Sequence, residues 1–386
     1  MYGRTVTLVH RVAYPLALAV AVIALGIGLL ELHVPIGIDF HTYEAAARVG
    51  LHQGWSHIYD QGLVAVEQKT LVPDQVAQPF LSPPPTAWLA ALLASLPYWP
   101  AYYLWAALTL IALAISLLWS SQERGWARWA VVAAALAPWW VAQAVHVGQV
   151  VPLVAVGLLL TWRLVRENRE VAAGLALALV LLKPNTAFLV PFALVVAGHF
   201  RSVVTWVGMG VVIAGIALVS MGPTGIADYV SQLSGPLPPG ADALTLGGAL
   251  GVSGFFALGL RVLIMAASLA AAYRFRDSPG LAIASATLGS LLVVPYLHGS
   301  DLCLLGAAAF IVWQERARLA WRAPLAAAWV VASPFVALSS MALDLRRWPL
   351  IELVLLAALV FDAWRPRVER RAPLTGEAEL GTRATA

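Results

Sequence analysis

Apolar runs close to the length of a bilayer crossing recur from one end of this chain to the other. A chain immersed in hydrocarbon must satisfy its own backbone hydrogen bonds, so the expected fold class is an all-α, polytopic membrane protein. Candidate spans lie at roughly 12–32, 100–119, 129–145, 150–166, 168–182, 185–199, 202–220, 253–274, 279–296, 301–314, 323–340 and 347–364, twelve in all. Those at 185–199 and 301–314 are short for a core of ~30 Å, which suits broken or re-entrant helices. A further apolar piece, 84–96, is bounded by prolines and covers only about 20 Å. It reads as a half-helix that leaves and re-enters on one side. The first run is long enough to span and no small-residue cleavage site follows it, so it is a span and not a leader peptide. Sixteen tryptophans and ten tyrosines supply interfacial anchors.

Charge sets the sidedness. With the N-terminus inside, eighteen of the 24 basic residues face inward and five face outward, namely Arg48, Lys69, Lys183, Arg346 and Arg347, while Arg261 falls within a span. Counting 84–96 as a full crossing would put Arg124 and Arg128 outside and reverse everything downstream. The expected organisation is therefore one transmembrane domain over 1–365 with both termini cytoplasmic. It carries a first outer loop at 33–99, a second at 221–252, and a disordered polar tail at 366–386. No repeat is evident.

Several function classes drop out. The net charge of +4 comes from scattered arginines that build no basic groove, so nucleic acid is not a partner. The single cysteine, Cys303, excludes an internal disulfide and a cysteine-based metal cluster. No P-loop, GxGxxG, GxSxG or HExxH occurs.

Charged residues make up only 11% of the chain, so the polar outer stretches stand out. Gly37-Ile38-Asp39-Phe40-His41-Thr42-Tyr43-Glu44 follows the first span and reads as the start of a short surface helix. Asp39 there is either a functional acid or a helix N-cap. Lys183, one of two lysines, ends an apolar run just before Pro184-Asn185. It is either a snorkelling side chain or a ligand for a lipid phosphate. His298 and Asp301 stand three apart after Pro295-Tyr296-Leu297; a phosphate or carboxylate contact fits His298 better than a metal, for which a third ligand is missing. His146 and Gln149 lie in a polar turn between two spans. Arg261 is an intramembrane cation and so a functional candidate. Arg346 and Arg347 would grip an anion or anchor the last span. Pro83-Pro84-Pro85 stiffens the start of the half-helix.

Taken in order, Ile38-Asp39-Phe40-His41-Thr42-Tyr43, Ile58-Tyr59, Phe80-Leu81-Ser82-Pro83-Pro84, Gly148-Gln149, Leu182-Lys183-Pro184 and Pro295-Tyr296 through His298 to Asp301 resemble the motifs of glycosyltransferase family 87. Those are bacterial polyprenol-phosphate-mannose-dependent mannosyltransferases with the GT-C membrane fold, and the resemblance covers about residues 10 to 365. The family often has Tyr-Pro-Pro where Leu81-Ser82-Pro83-Pro84 stands, and Gly-Gln-Asn where Val150 follows Gln149. The resemblance implies a plasma-membrane enzyme with an extracytoplasmic site. It would move a sugar, mannose first, from a polyprenyl-phosphate donor to a glycolipid or lipid-linked glycan, with inversion. It makes Asp39 the general base, with Glu44 as rival. Lys183, His298, Arg261, Arg346 and Arg347 become ligands of the leaving phosphate. His41, Tyr43, Glu44, Tyr59, His146, Gln149, Asn185 and Asp301 become substrate contacts. No metal or other cofactor is implied. The competing readings are a transporter or flippase of a lipid-linked sugar, a membrane scaffold, and the same chemistry with another sugar such as arabinofuranose.

Overall fold

The computed structural model describes residues 2–31, 36–235, 242–337 and 347–365. Arg346 and the 366–386 tail lie outside the described residues. Within them the chain forms helices and no strands. The first outer segment holds α2 (Ile38–His52), α3 (Gln61–Leu71) and α4 (Pro84–Ala91), after the long α1 (Tyr2–Glu31). Then come α5 (Tyr98–Ser120), α6 (Gly125–Leu136), α7 (Trp139–Val147), α8 (Val151–Arg166), α9 (Glu170–Leu177) and α10 (Leu189–Val196). The second half contains α11 (Phe200–Leu233), α12 (Leu246–Leu250), α13 (Gly254–Arg274), α14 (Pro279–Val293), α15 (Cys303–Glu315), α16 (Leu319–Ala332), α17 (Pro334–Ala337) and α18 (Trp348–Trp364).

Four of these, Val12–Glu31 of α1, α5, α11 and α13, have the length and apolarity to cross a bilayer; α6 and α7, bent by 60°, make a fifth if counted as one span. The other expected spans fall on shorter helices, such as the 15 residues of α14 and the 13 of α15. At 1.5 Å per residue α14 covers about 22 Å. The expected half-helix at 84–96 is helical only to Ala91 and finishes in turns. The expected loop at 221–252 is corrected more strongly. The helix resumes after Gly222, whose φ of 61° makes the kink, and runs on to Leu233. Pro223 falls at the start of this second segment, where its missing N–H costs nothing.

Burial separates centre from rim. Every residue of α14 from Gly280 to Val293 is buried, and α8 is buried over most of its length. Helices apolar all round belong in a bundle centre. Small residues let the neighbours approach closely: a Cβ on Gly289 would come within 2.2 Å of the Ser268 hydroxyl on α13. On the rim, α11 and α13 turn large apolar side chains outward, with Val219 88% and Phe255 90% exposed. That is the surface lipid requires.

The two ends of α5 define the two ends of the bundle. Near its N-terminus Tyr98, Tyr102 and Trp105 donate to the carbonyls of Gly37, His146 and Gly148. Beyond its C-terminus Gln122 N donates to Gln314 and Glu123 pairs with Arg322. The Arg316–Asp362 pair, from the same turn after α15 and the last turn of α18, adds to that second end.

Candidate active site

Asp39 occupies the second position of α2. The N-cap is Gly37, in the left-handed conformation at φ 74° and with no side-chain cap, so the helix-cap alternative for Asp39 does not hold. Gly37 N donates to the His146 carbonyl at 2.6 Å, and a Cβ on Gly37 would strike the Tyr98 hydroxyl. Glycine is therefore required where α2 begins.

Gln149 fixes the acid. Its Oε1 accepts from the Tyr43 hydroxyl at 2.5 Å and from Val150 N at 3.0 Å. Both are donors, so the amide has one possible orientation, with Nε2 donating to Asp39 Oδ2 at 2.9 Å. Among the described residues this is the carboxylate's one hydrogen bond, which leaves Oδ1 unengaged. Gln149 reaches Asp39 because Gly148 ends α7 at φ 73°, where an added Cβ would lie 2.5 Å from that of Phe40.

A second unit is built from helix breaks. The run from α9 tightens to a 3₁₀ segment at Ala178–Leu182 and stops at Lys183. Asp301 sits in another 3₁₀ turn, Gly299–Leu302, between α14 and α15. Lys183 Nζ meets Asp301 Oδ1 at 2.5 Å, with side chains 12% and 0% exposed. Asp301 Oδ2 accepts from His298 N at 2.9 Å. The sequence leaves Lys183 free for a ligand; the structure gives its charge a partner.

Electrostatics join the two units. Burial pushes the Asp39 carboxyl up to about 6; Lys183 and the Gln149 hydrogen bond pull it down, and Asp301 pushes it further up. Burial opposes the Lys183 charge, yet Asp301 holds the ammonium above its ordinary value. The Tyr43 phenol is raised far above its ordinary value by burial and then by Asp39, so it stays a donor. The His298 ring reaches the surface, but dehydration by the surrounding protein and the Lys183 cation push it below its ordinary value. Asn185, two residues past Lys183, has a buried Nδ2 without a partner.

Other expected contacts are placed differently. His41 is fully buried, and its Nε2 donates to the Gln68 carbonyl at 2.7 Å. Burial lowers its pKa, so it ties α2 to α3 as a neutral ring. Glu44 is fully buried, and Arg48 grips its Oε1 through two N–H groups at 3.0 and 2.6 Å. Burial raises its carboxyl to about 7 in spite of Arg48. Tyr59 stacks on Phe80 and Tyr229 and donates to the Ser82 carbonyl, which fixes the proline segment. His146 bonds the Leu29 carbonyl through Nε2 at 2.8 Å and so holds α1. Arg261, half-buried on α13, and Arg347, exposed at the start of α18, take no part in the Asp39–Lys183–Asp301 grouping. No group of three or more metal-ligating side chains occurs among the described residues.

The sequence reading passed over Glu352 in α18, which is fully buried. An acid inside an apolar span was its visible signal.

A polarised carboxylate with one open oxygen, next to a buried lysine–aspartate pair, can accept a proton from a hydroxyl beside a site suited to an anion. Comparison with known proteins agrees with a transferase. The family model for glycosyltransferase family 87 matches residues 80–295, a stretch that includes Gln149 and Lys183 and stops between Asp39 on one side and His298 and Asp301 on the other. No curated protein and no solved structure matches the chain. The match covers more than half of the sequence, and the chain belongs to glycosyltransferase family 87.

Proposed function

We propose that this membrane glycosyltransferase moves a sugar, mannose first, from a polyprenyl-phosphate donor to a hydroxyl of a glycolipid or lipid-linked glycan, with Asp39 as general base. The GT-C fold, twelve spans, extracytoplasmic site and bacterial plasma membrane belong to the same proposal. The observation that carries it is the Asp39 carboxylate, tethered at Oδ2 by Gln149 and open at Oδ1.

In the reaction the acceptor O–H gives its proton to Asp39 Oδ1 while the acceptor oxygen attacks the anomeric carbon. The bond from that carbon to the phosphate oxygen breaks, and polyprenyl phosphate departs with the electron pair. A single displacement inverts the anomeric centre. Lys183, His298 and the unpartnered Asn185 amide favour charge gathering on the departing phosphate. Phosphate is a good leaving group and asks for no acid. Glu44 is a poorer base because Arg48 occupies one oxygen and the residue has no exposed surface.

The test is transfer of radiolabelled mannose from synthetic polyprenyl-phosphate-mannose into membrane lipids. Wild type should transfer, and Asp39→Ala and Asp39→Asn should each lose about 10²- to 10⁴-fold, the range of general-base catalysis. Full activity in both variants would remove Asp39 from the mechanism. Transfer of arabinofuranose but not mannose would change the sugar. Absence of any transfer, with movement of the lipid-linked sugar across vesicles, would replace the enzyme by a flippase.

A further inference from the structure

Gln143 lies on α7, six residues before the Gln149 that tethers Asp39. Its side chain rests against the turn of Asp301, where a Cβ on Gly299 would collide with Gln143 Oε1. Glycine at 299 is what lets the amide approach, and a Cα hydrogen stands there facing the amide oxygen. Oε1 is sealed in and has no hydrogen-bond partner. Nε2 donates to no described residue and is not sealed in, and the side chain as a whole is half-buried. One turn earlier on the same face, the Trp139 ring lines the same glycine at 2.8 Å. Trp139 is 5% exposed, and its Nε1 is also without a partner. Protein interiors seldom leave such groups unpaired, because an unmade hydrogen bond is costly. Nor is Gln143 a structural tie like Gln149, Gln61 and Gln68, whose amides all bond protein atoms.

The surroundings decide what this amide would bind. The turn it touches carries His298 and Asp301, on the side of the site where the phosphate would depart. Lys183 and His298 answer the charge of an anion there, and a neutral amide adds little to them. An amide both donates and accepts, as a hydroxyl does, so the guest it suits is an alcohol. The alcohols carried next to the phosphate are those of the donor's sugar. We propose that Gln143 is a specificity-determining residue that hydrogen-bonds one hydroxyl of the donor sugar. The inference rests on the phosphate-donor reading above.

The experiment measures kcat/KM for polyprenyl-phosphate-mannose and for its monodeoxy analogues with the purified full chain, as wild type, Gln143→Met and Gln143→Ala. Methionine keeps the length of the side chain and removes its polar atoms. Alanine takes its place if methionine does not fold, which thermal unfolding decides. Wild type should discriminate against one monodeoxy donor about tenfold or more, as loss of a single hydrogen bond does. The variants should lose about that factor on the mannose donor and nothing further on that one analogue. Their binding of undecaprenyl phosphate, which has no sugar, should equal that of wild type. A glutamine that is structural, or bridged only to water, would lower every donor equally and keep the wild-type discrimination; that pattern would overturn the proposal. So would full activity of the variants on mannose, a wild type indifferent to every deoxy donor, or weaker binding of the bare lipid phosphate. Wild type that transfers no mannose would overturn the donor reading and this inference together.

Discussion

At the level of single residues, Gln149 and Tyr43 test whether a tethered carboxylate is what the site needs. Gln149→Leu removes the donor to Asp39 and the acceptor for Tyr43, so transfer should fall about a hundredfold with donor affinity kept. Tyr43→Phe loses one hydrogen bond, about 1 kcal/mol of stability, and should cost less activity than Gln149→Leu. Asp39 itself makes a prediction about pH. Its folded carboxyl is raised from 3.8 to about 6, so kcat/KM should rise with pH through an apparent pKa near 6 as the base loses its proton. The sign for stability is opposite. A raised acid binds its proton more tightly folded than unfolded, which favours the folded state as pH falls from 6 toward 4 and costs stability above 6. Asparagine has no charge to desolvate, so Asp39→Asn should unfold at the same temperature as wild type or higher at pH 7.5, while transfer is lost. For the buried pair the order reverses: Lys183→Ala strands Asp301 and should destabilise by about 3–5 kcal/mol, and adding Asp301→Asn should recover much of that in detergent unfolding.

At the level of elements, the site is assembled where helices stop. α7 ends at Gly148, the α9 run ends at Lys183, α14 gives way to the turn of Asp301, and Asp39 lies in the first turn of α2. Gly148→Ala tests this because it meets two obstacles together, a left-handed backbone and the Phe40 side chain. Solubilised protein carrying it should show weaker folding and transfer than an alanine at Gly208, which has open space around it. Much of this was legible in the sequence, since Gly148-Gln149, Lys183-Pro184 and His298-Gly299-Ser300-Asp301 all interrupt apolar runs with residues that need a reason to be there. What could not be read was pairing across long separations. Nothing local to Lys183 says that residue 301 supplies its counter-ion, and nothing local to His41 says that a backbone carbonyl of α3 holds it. The outer loop expected from 221 was corrected for a different reason: α11 continues through Pro223 to Leu233. Proline usually closes a helix, but here it opens the second segment of α11, and only the Gly222 backbone tells the two cases apart.

On the scale of the whole molecule, the excess of arginine on one side implies an orientation that labelling can check. In a Cys303→Ala background, Thr70→Cys on α3 should react with a membrane-impermeant maleimide in intact cells. Arg276→Cys, after α13, should react once the membrane is opened. Both native side chains are exposed, so access and not burial decides the outcome. The short central helices have their own consequence. In the proposed twelve-span arrangement α14, about 22 Å long, falls short of a core of ~30 Å, and the Lys183–Asp301 pair would sit beneath the plane of the surrounding lipid phosphates. In that arrangement few water molecules would reach an attacking position, and the acceptor hydroxyl would meet little competition for the anomeric carbon. Donor incubated with enzyme and no acceptor should therefore be spared hydrolysis and persist as the intact lipid-linked sugar.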